Sequence, residues 1–419
     1  MSACLRSPAL RPLPARACRT WGLALTLACL PFTFPAPAQA APDAGPTRAA
    51  TADSAAHPAS GALPPPRSIE FAGDRVVLPM QLVEGRPVVE VRIGGKGPYR
   101  LGIETGAAFA ALTRATLDSL QLKSNHSDEV GEIYTLPSVE MGECVVRGLE
   151  VRDAAPVDRS IDGFLGLGVF PSLLLTIDYP GSRLVLERGT LPAPDGQSVF
   201  ATTRVGPFFA VALDVAGRRL PAVIDTRGSS AFGFTPAVGE SLRFVAPPVL
   251  VGQARGAAIP LTDVKLGRLD GDVTLGTIRF ERPLVTLRAL PPGYPDGLIG
   301  GATLGHFAMT LDQRSGRVRF VPRDGTTIPA PPPVTDLGMR LRQRPGQPPE
   351  VGEVRAGTPA ESSGVREGDR ILEAAGIAGA DLDATRWRAL ANAGKPVSMK
   401  LKRGEATLDR VVAPATLVP

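Results

Sequence analysis

Two acidic residues, Glu104 and Asp225, stand in similar local sequences and have the chemistry of an acid pair. Each follows apolar residues and precedes a threonine, Thr105 or Thr226. This pattern is typical of a buried strand that leads into a tight loop, so each loop would present one carboxylate. The two segments read Leu-Gly-Ile-Glu-Thr-Gly-Ala at 101–107 and Ala-Val-Ile-Asp-Thr-Arg-Gly at 222–228.

Packing the two segments face to face would bring the carboxyl groups of Glu104 and Asp225 together. Two carboxyl groups about 3 Å apart cannot both ionise and therefore share a proton, and their titration belongs to the pair. One then acts as general base on a water while the other donates a hydrogen bond to a substrate carbonyl. The hydroxyls of Thr105 and Thr226 would bond to the opposite segment, and Gly106 allows close backbone approach.

An internal repeat predicts that the two acids belong to equivalent halves of the chain. Three motifs of the first half recur in the second at one offset of 134 positions, whereas the acid segments are 121 positions apart. An insertion of 13 residues in the second half accounts for the difference. The three repeated pairs are Gly142 and Gly276, Asp162 and Asp296, and Asp178 and Asp312.

Short β-type runs separated by Gly and Pro turn signals dominate the chain, and helical patterns are few. Helices are predicted over 113–120 and 384–393. We therefore predict a mainly β fold of two duplicated β-barrel lobes and a small α+β domain. The predicted segments are a signal peptide 1–40, a disordered linker 41–67, lobe 1 at 68–190, lobe 2 at 198–323, a Pro-rich linker 324–334 and a C-terminal domain 335–415.

The motifs of the two halves resemble those of aspartic proteases of the pepsin and retropepsin type. Asp225-Thr226 resembles the start of the catalytic Asp-Thr-Gly sequence. Residues 162–168 and 296–301 resemble the hydrophobic-hydrophobic-Gly element that braces the active loop. Residues 176–179 resemble the terminal strand of bacterial retropepsin-like domains. The resemblance covers about residues 70–323.

The resemblance implies acid-protease-like lobes and an aspartic endopeptidase that acts on peptides or unfolded proteins. Glu104 and Asp225 would be its catalytic residues. The residues that would support the active loops are Thr105, Gly106, Thr226, Gly166 and Gly300.

Two departures from the family pattern leave an alternative open. Glu104 stands where the family has Asp, and a displacement of about 1 Å can cost roughly 100-fold in rate. Arg227 stands where glycine is expected, unless it is an inserted residue and Gly228 takes the glycine's role. The alternative is a catalytically inactive, aspartic-protease-like peptide-binding protein of the cell envelope.

The C-terminal domain resembles PDZ domains. Leu337, Gly338 and Met339 resemble the PDZ carboxylate-binding loop, and residues 356–360 and 364–369 resemble the PDZ core pattern. The resemblance implies that backbone N–H groups receive a peptide C-terminus while the peptide adds as a strand to the sheet edge.

The first 40 residues are predicted to be a secretory signal. Arginines precede the apolar run Trp21–Leu30, which is shorter than the roughly 20 residues that span a bilayer, and a small-residue cleavage site ends at Ala40. The predicted mature chain starts near Ala41 and is exported, either periplasmic or secreted. A lipoprotein anchor at Cys29 is a minor alternative.

The composition argues against other function classes. Four arginines of the signal account for most of the net charge of +5, so no electrostatic footprint for nucleic acid remains. The three histidines are scattered, and no Cys/His cluster has zinc spacing. We therefore predict no metal, no cofactor and no nucleic-acid partner. Cys144, the one cysteine beyond the signal, is predicted to be a small core residue.

Overall fold

The computed structural model describes most of the chain beyond the predicted export signal. The predicted signal peptide 1–40, with Cys29, and most of the predicted linker 41–67 lie outside the described residues. No helix among the described residues is long and apolar enough to cross a membrane. The described ranges are 62–154, 160–256, 259–342 and 347–419.

The first lobe is a succession of short strands with one α-helix. Its elements are β1 (Ser68–Glu70), β2 (Arg75–Pro79), β3 (Gln81–Val83), β4 (Arg86–Ile93), β5 (Lys96–Glu104), β6 (Ala110–Thr113), α1 (Arg114–Leu120), β7 (His126–Asp128), β8 (Gly131–Thr135), β9 (Val139–Met141), β10 (Cys144–Arg147), β11 (Glu150–Ala154), β12 (Gly163–Gly166), β13 (Leu174–Asp178) and β14 (Arg183–Glu187). In β2, Val76 and Leu78 are buried and Val77 is exposed. This is the two-residue period of a strand that covers a core with one face.

The second lobe repeats this succession. Its elements are β15 (Val199–Ala201), β16 (Thr203–Val205), β17 (Phe208–Val215), β18 (Arg218–Ile224), β19 (Phe232–Phe234), α2 (Pro236–Glu240), β20 (Val249–Gly256), β21 (Ile259–Arg268), β22 (Val273–Leu275), β23 (Ile278–Phe280), β24 (Leu284–Leu287), β25 (Gly297–Ile299), α3 (Gly301–Leu304), β26 (Phe307–Asp312), β27 (Arg317–Pro322) and β28 (Thr327–Ile328). The aromatic rings of Phe232, Phe280, Phe307 and Phe320 pack edge to face along its core.

Each lobe is one curled 11-stranded sheet, and apart from the edge strands β1 and β28 the two sheets have the same strand order. The first runs β1-β10-β9-β4-β5-β12-β6-β11-β8-β7 with β3 on β4. The second, read from its other edge, runs β28-β23-β22-β17-β18-β25-β19-β24-β21-β20 with β16 on β17. In both, the strand that leads to the acid is parallel to the strand of the hydrophobic-hydrophobic-Gly element. The predicted mainly β fold with two duplicated β lobes is confirmed.

A six-stranded sheet of order β15-β27-β26-β13-β14-β2 joins the lobes. Its centre is the antiparallel pair β13 and β26, in which Thr176 lies opposite Thr310. Their hydroxyl oxygens are 2.8 Å apart, across 134 positions of sequence. Three strands from each half contribute, so the two halves form one body around this local symmetry axis.

The lobes differ most in one hairpin. β20 and β21 have eight and ten residues, whereas the equivalent strands β7 and β8 have three and five. The longer hairpin contacts the C-terminal domain at Gly252, where an added Cβ would lie 2.9 Å from Nη2 of Arg340. A glycine at this position therefore leaves room for the guanidinium group.

The C-terminal domain has its own apolar core. Its elements are β29 (Val334–Asp336), β30 (Met339–Arg342), β31 (Glu350–Val354), α4 (Pro359–Ser362), β32 (Arg370–Ala374), β33 (Ile377–Ala378), α5 (Ala384–Asn392), β34 (Val397–Arg403), β35 (Ala406–Val412) and β36 (Ala415–Val418). Its main sheet runs β30-β31-β32-β34-β35, with β33 on β32, and β29 pairs with β36. Among the described strands, β30 pairs with β31 alone and so forms an edge of the sheet.

Arg268 joins the C-terminal domain to the second lobe. Its side chain is buried and donates to the backbone oxygens of Arg282 at 3.1 Å and Pro332 at 2.9 Å, and also to that of Pro419. Burial, together with the neighbouring charge of Arg282, lowers the pKa of Arg268. A buried guanidinium is costly without hydrogen-bond acceptors, and the backbone oxygens of Pro332 and Pro419 tie Arg268 to the linker and to the C-terminal domain.

Candidate active site

The fold brings the two acid segments to the same place. Glu104 is the last residue of β5, and Asp225 directly follows β18. Both side chains are buried. The backbone N–H of Asp225 donates to the oxygen of Ile299 in β25 at 2.9 Å, and Glu104 lies in register with Gly166 of β12. Each acid is thus held at the end of a central parallel strand.

Reciprocal hydrogen bonds between the threonines lock the two acid loops together. Oγ1 of Thr105 donates to the oxygen of Ile224 at 2.7 Å, and Oγ1 of Thr226 donates to the oxygen of Ile103 at 2.6 Å. The backbone N–H of each threonine also donates to the hydroxyl of the other, at 3.0 and 3.1 Å. Four buried bonds therefore fix the loops that carry Glu104 and Asp225.

Gly106 lies directly against the carboxylate of Asp225. An added Cβ would be 2.5 Å from Oδ1 of Asp225 and 2.8 Å from the hydroxyl of Tyr294. That hydroxyl donates to the oxygen of Gly106 at 3.1 Å. Burial, with Asp225 nearby, raises the pKa of Tyr294 well above its usual range, so its phenol stays a neutral donor beside the acids.

Arg227 occupies the position equivalent to Gly106 and is not an inserted residue. The N–H of Gly228 bonds to the oxygen of Asp225 at 3.2 Å, just as the N–H of Ala107 bonds to the oxygen of Glu104 at 3.3 Å. The two loops therefore keep the same length. The backbone N–H of Arg227 donates to Oδ1 of Asp225 at 3.0 Å.

The side chain of Arg227 crosses to the other acid. Its Nη1 is 3.8 Å from Oε2 of Glu104, and this oxygen has no hydrogen-bond partner among the described residues. Burial raises the pKa of Glu104 to about 7. The positive charges of Arg227 and Arg86 partly offset this rise in pKa, and the negative charge of Asp225 adds to it. The carboxyl group of Glu104 therefore keeps its proton to a higher pH than an exposed glutamate does.

Gly166 and Gly300 lie against the backbone of the two acid loops. An added Cβ on Gly166 would be 2.2 Å from the oxygen of Phe109, and one on Gly300 would be 2.2 Å from the oxygen of Ser230. Both distances are shorter than any real contact, so each position requires glycine. The two glycines support the backbone that follows each acid.

The residues of the predicted PDZ loop are buried or hydrogen-bonded within the domain itself. Leu337 and Met339 are buried in the domain core. The backbone N–H of Gly338, one of the predicted carboxylate donors, donates to Oδ1 of Asp336. That carboxylate in turn lies 2.6 Å from Nη2 of Arg355. An internal carboxylate therefore occupies one of the donors that a peptide C-terminus would use.

Sequence reasoning missed two residues of the acid site. Tyr294 has no counterpart in the first half, because the residue 134 positions earlier is Ser160. Arg86 lies beside Glu104 and Arg227 in a small cavity of about 20 Å³. The available signal for Tyr294 was a large aromatic side chain in a Pro- and Gly-rich turn just before the repeated Asp296-Gly297 motif.

No protein-family model and no curated protein matches the chain. Its fold is similar to that of an aspartic proteinase from Irpex lacteus, at 13% identity and TM-score 0.39 over 60% of this chain and 98% of that one. It is similar to a retropepsin-like aspartic protease from Rickettsia conorii, at 17% identity and TM-score 0.22 over 29% and 94%. It is also similar to the HtrA3 PDZ domain bound to a phage-derived ligand, at 21% identity and TM-score 0.18 over 20% and 86%.

Proposed function

We propose that the protein is an aspartic-type endopeptidase whose acid pair is Glu104 and Asp225. The observation that carries this proposal is the reciprocal bonding of Thr105 and Thr226, which ties together the two loops that carry the buried acids Glu104 and Asp225. A carboxyl group kept protonated next to an ionised one is the arrangement that activates water for peptide hydrolysis.

The two acids have separate roles in this mechanism. Glu104, with its pKa raised to about 7, is protonated below neutral pH and donates a hydrogen bond to the carbonyl oxygen of the scissile peptide. Asp225 takes a proton from the attacking water. The water oxygen adds to the carbonyl carbon, and the proton held by Asp225 then passes to the leaving amine as the C–N bond breaks. The phenol of Tyr294, which donates to the oxygen of Gly106, fixes the loop beside the two acids.

The proposed roles predict the pH dependence of hydrolysis. Because Glu104 must carry its proton, activity is expected to be highest below about pH 7 and to fall roughly tenfold per pH unit above it. The measurement is the rate of cleavage of a fluorescently labelled, unfolded polypeptide between pH 4 and 9. A rate that rises steadily from pH 7 to 9 would contradict the assignment of Glu104 as the proton donor.

A second candidate function is peptide binding without catalysis. One observation favours it: the guanidinium group of Arg227 reaches Glu104 at 3.8 Å, in a position where the resembled family has glycine. If the same labelled polypeptide binds but is not cleaved at any pH of the series, the binding function is supported and the peptidase proposal fails.

A further inference from the structure

A cavity lies between the second lobe and the C-terminal domain. Its volume is about 780 Å³, within the range of sites that hold small ligands or peptide segments. Ser229 and Ser230, four and five residues after Asp225, line the cavity, as do Arg388 and Asn392 of helix α5. The cavity therefore extends from the acid loop of the second lobe to the C-terminal domain.

The walls of this cavity are mainly apolar. They come from the long hairpin β20–β21, from β19 and β24, and from the Pro-rich segment that joins the domains. Apolar side chains that leave water against such walls stabilise a complex. The apolar lining residues include Phe232, Val251, Val264, Leu266, Leu284 and Ile328.

One cation in the cavity is available to a ligand. The side chain of Arg388 is exposed, and no carboxylate among the described residues lies within 4.0 Å of it. The cavity also contains Glu281, but that carboxylate lies 3.9 Å from Arg279. An apolar wall with a free guanidinium group matches a ligand that is apolar along its length and carries a carboxylate.

The walls are held in place before any ligand binds. Arg268 of the second lobe donates to the backbone oxygens of Pro332 and Pro419, and Gly252 of the hairpin contacts the guanidinium of Arg340 on the edge strand β30. A preorganised site loses less freedom on binding and so gains affinity. The long hairpin, which has no equivalent of its length in the first lobe, thus forms a wall shared by the lobe and the C-terminal domain.

We propose that this cavity is a composite binding site for an extended apolar peptide segment whose carboxylate pairs with Arg388. The identification of the ligand as a peptide rests on the proposed peptidase function, since Ser229 and Ser230 of the loop that carries Asp225 line the cavity. The site differs from the loop at Leu337–Met339, where Asp336 already accepts the N–H of Gly338.

The test is equilibrium binding to the full chain carrying Asp225→Asn, so that hydrolysis does not enter the measurement. The probe is a fluorescein-labelled hexapeptide of Val, Leu and Ala in three forms: with a free C-terminal carboxylate, with a C-terminal amide, and as the amide with one internal Asp. Fluorescence anisotropy is expected to give at least about tenfold tighter binding for a carboxylate form than for the plain amide. The form with the greater gain identifies the source of the carboxylate.

Variants separate this site from the alternatives. Arg388→Ala is expected to abolish the carboxylate gain, whereas Arg370→Ala, which removes an exposed arginine of the same domain away from the cavity, is expected to keep it. Val264→Trp fills the cavity and is expected to weaken all three peptides by at least about tenfold. Three results would overturn the proposal: a gain that persists in Arg388→Ala, binding unaffected by Val264→Trp, or Arg388-dependent binding of decanoate but of no peptide.

The outcomes also separate this proposal from the peptidase function. Peptide binding that depends on Arg388, together with no hydrolysis by the unmodified protein, would support the composite site and refute the peptidase. Hydrolysis by the unmodified protein, with peptide binding unaffected by Arg388→Ala, would support the peptidase function and refute the composite site.

Discussion

Asp225→Asn is expected to lower kcat/KM for an unfolded polypeptide by about 100- to 10,000-fold. The substitution keeps the shape of the side chain and its acceptor for the N–H of Arg227. It removes the group that takes the proton of the attacking water, and general base catalysis typically contributes a factor of this size. The measurement is initial cleavage rates at pH 5 and pH 6 with purified proteins.

Asp214→Asn is the matched control for this loss. Asp214 is an exposed residue of β17, and its carboxylate accepts the N–H of Gly217 in a turn. The control makes the same chemical change outside the cleft and is expected to retain the unmodified rate. If Asp225→Asn is as active as Asp214→Asn, Asp225 is not the base and the proposed mechanism is wrong.

Thr226→Val is expected to lower the free energy of unfolding by about 2–6 kcal/mol. The change keeps the volume of the side chain but removes a hydroxyl that donates to Ile103 and accepts from Thr105. A buried carbonyl and a buried N–H are then left without partners, and each costs roughly 1–3 kcal/mol. Urea denaturation followed by circular dichroism at pH 6 measures the loss.

Thr202→Val provides the comparison for this prediction. The hydroxyl oxygen of Thr202 is buried and has no hydrogen-bond partner among the described residues, so its removal is expected to be neutral or slightly stabilising. Equal free energies of unfolding for the two variants would mean that the reciprocal bonds between the lobes contribute little to stability. That result would contradict the claim that these bonds hold the acid pair rigidly.

Much of this site can be predicted from the sequence because its motifs occur once in each half of the chain. The apolar-acid-Thr segments end central strands in both lobes, and the repeated glycines Gly166 and Gly300 lie against the backbone that follows each acid. The helices predicted from local patterns over 113–120 and 384–393 correspond to α1 at Arg114–Leu120 and α5 at Ala384–Asn392. Cys144 is fully buried, as expected of a core residue.

What the sequence does not reveal depends on contacts between segments that are not repeated. Tyr294 reaches Gly106 from the other lobe, and nothing in its local pattern indicates that neighbour. The position of Arg227 could be read either as a substitution or as an insertion, and only the backbone bonds of Gly228 and Ala107 decide it. The contact of Gly252 with Arg340 likewise requires the domain arrangement.

The central claim is that Glu104 and Asp225 form one coupled acid pair, and the pKa of Glu104 tests it most directly. In protein labelled with ¹³C at the Glu carboxyl groups, NMR titration is predicted to give a pKa of about 7 for Glu104. Asp225→Asn is predicted to lower this value, because a neighbouring negative charge is lost, and Arg227→Gln to raise it, because a cation is lost. A pKa near 4.5 for Glu104, unchanged by either substitution, would contradict the account.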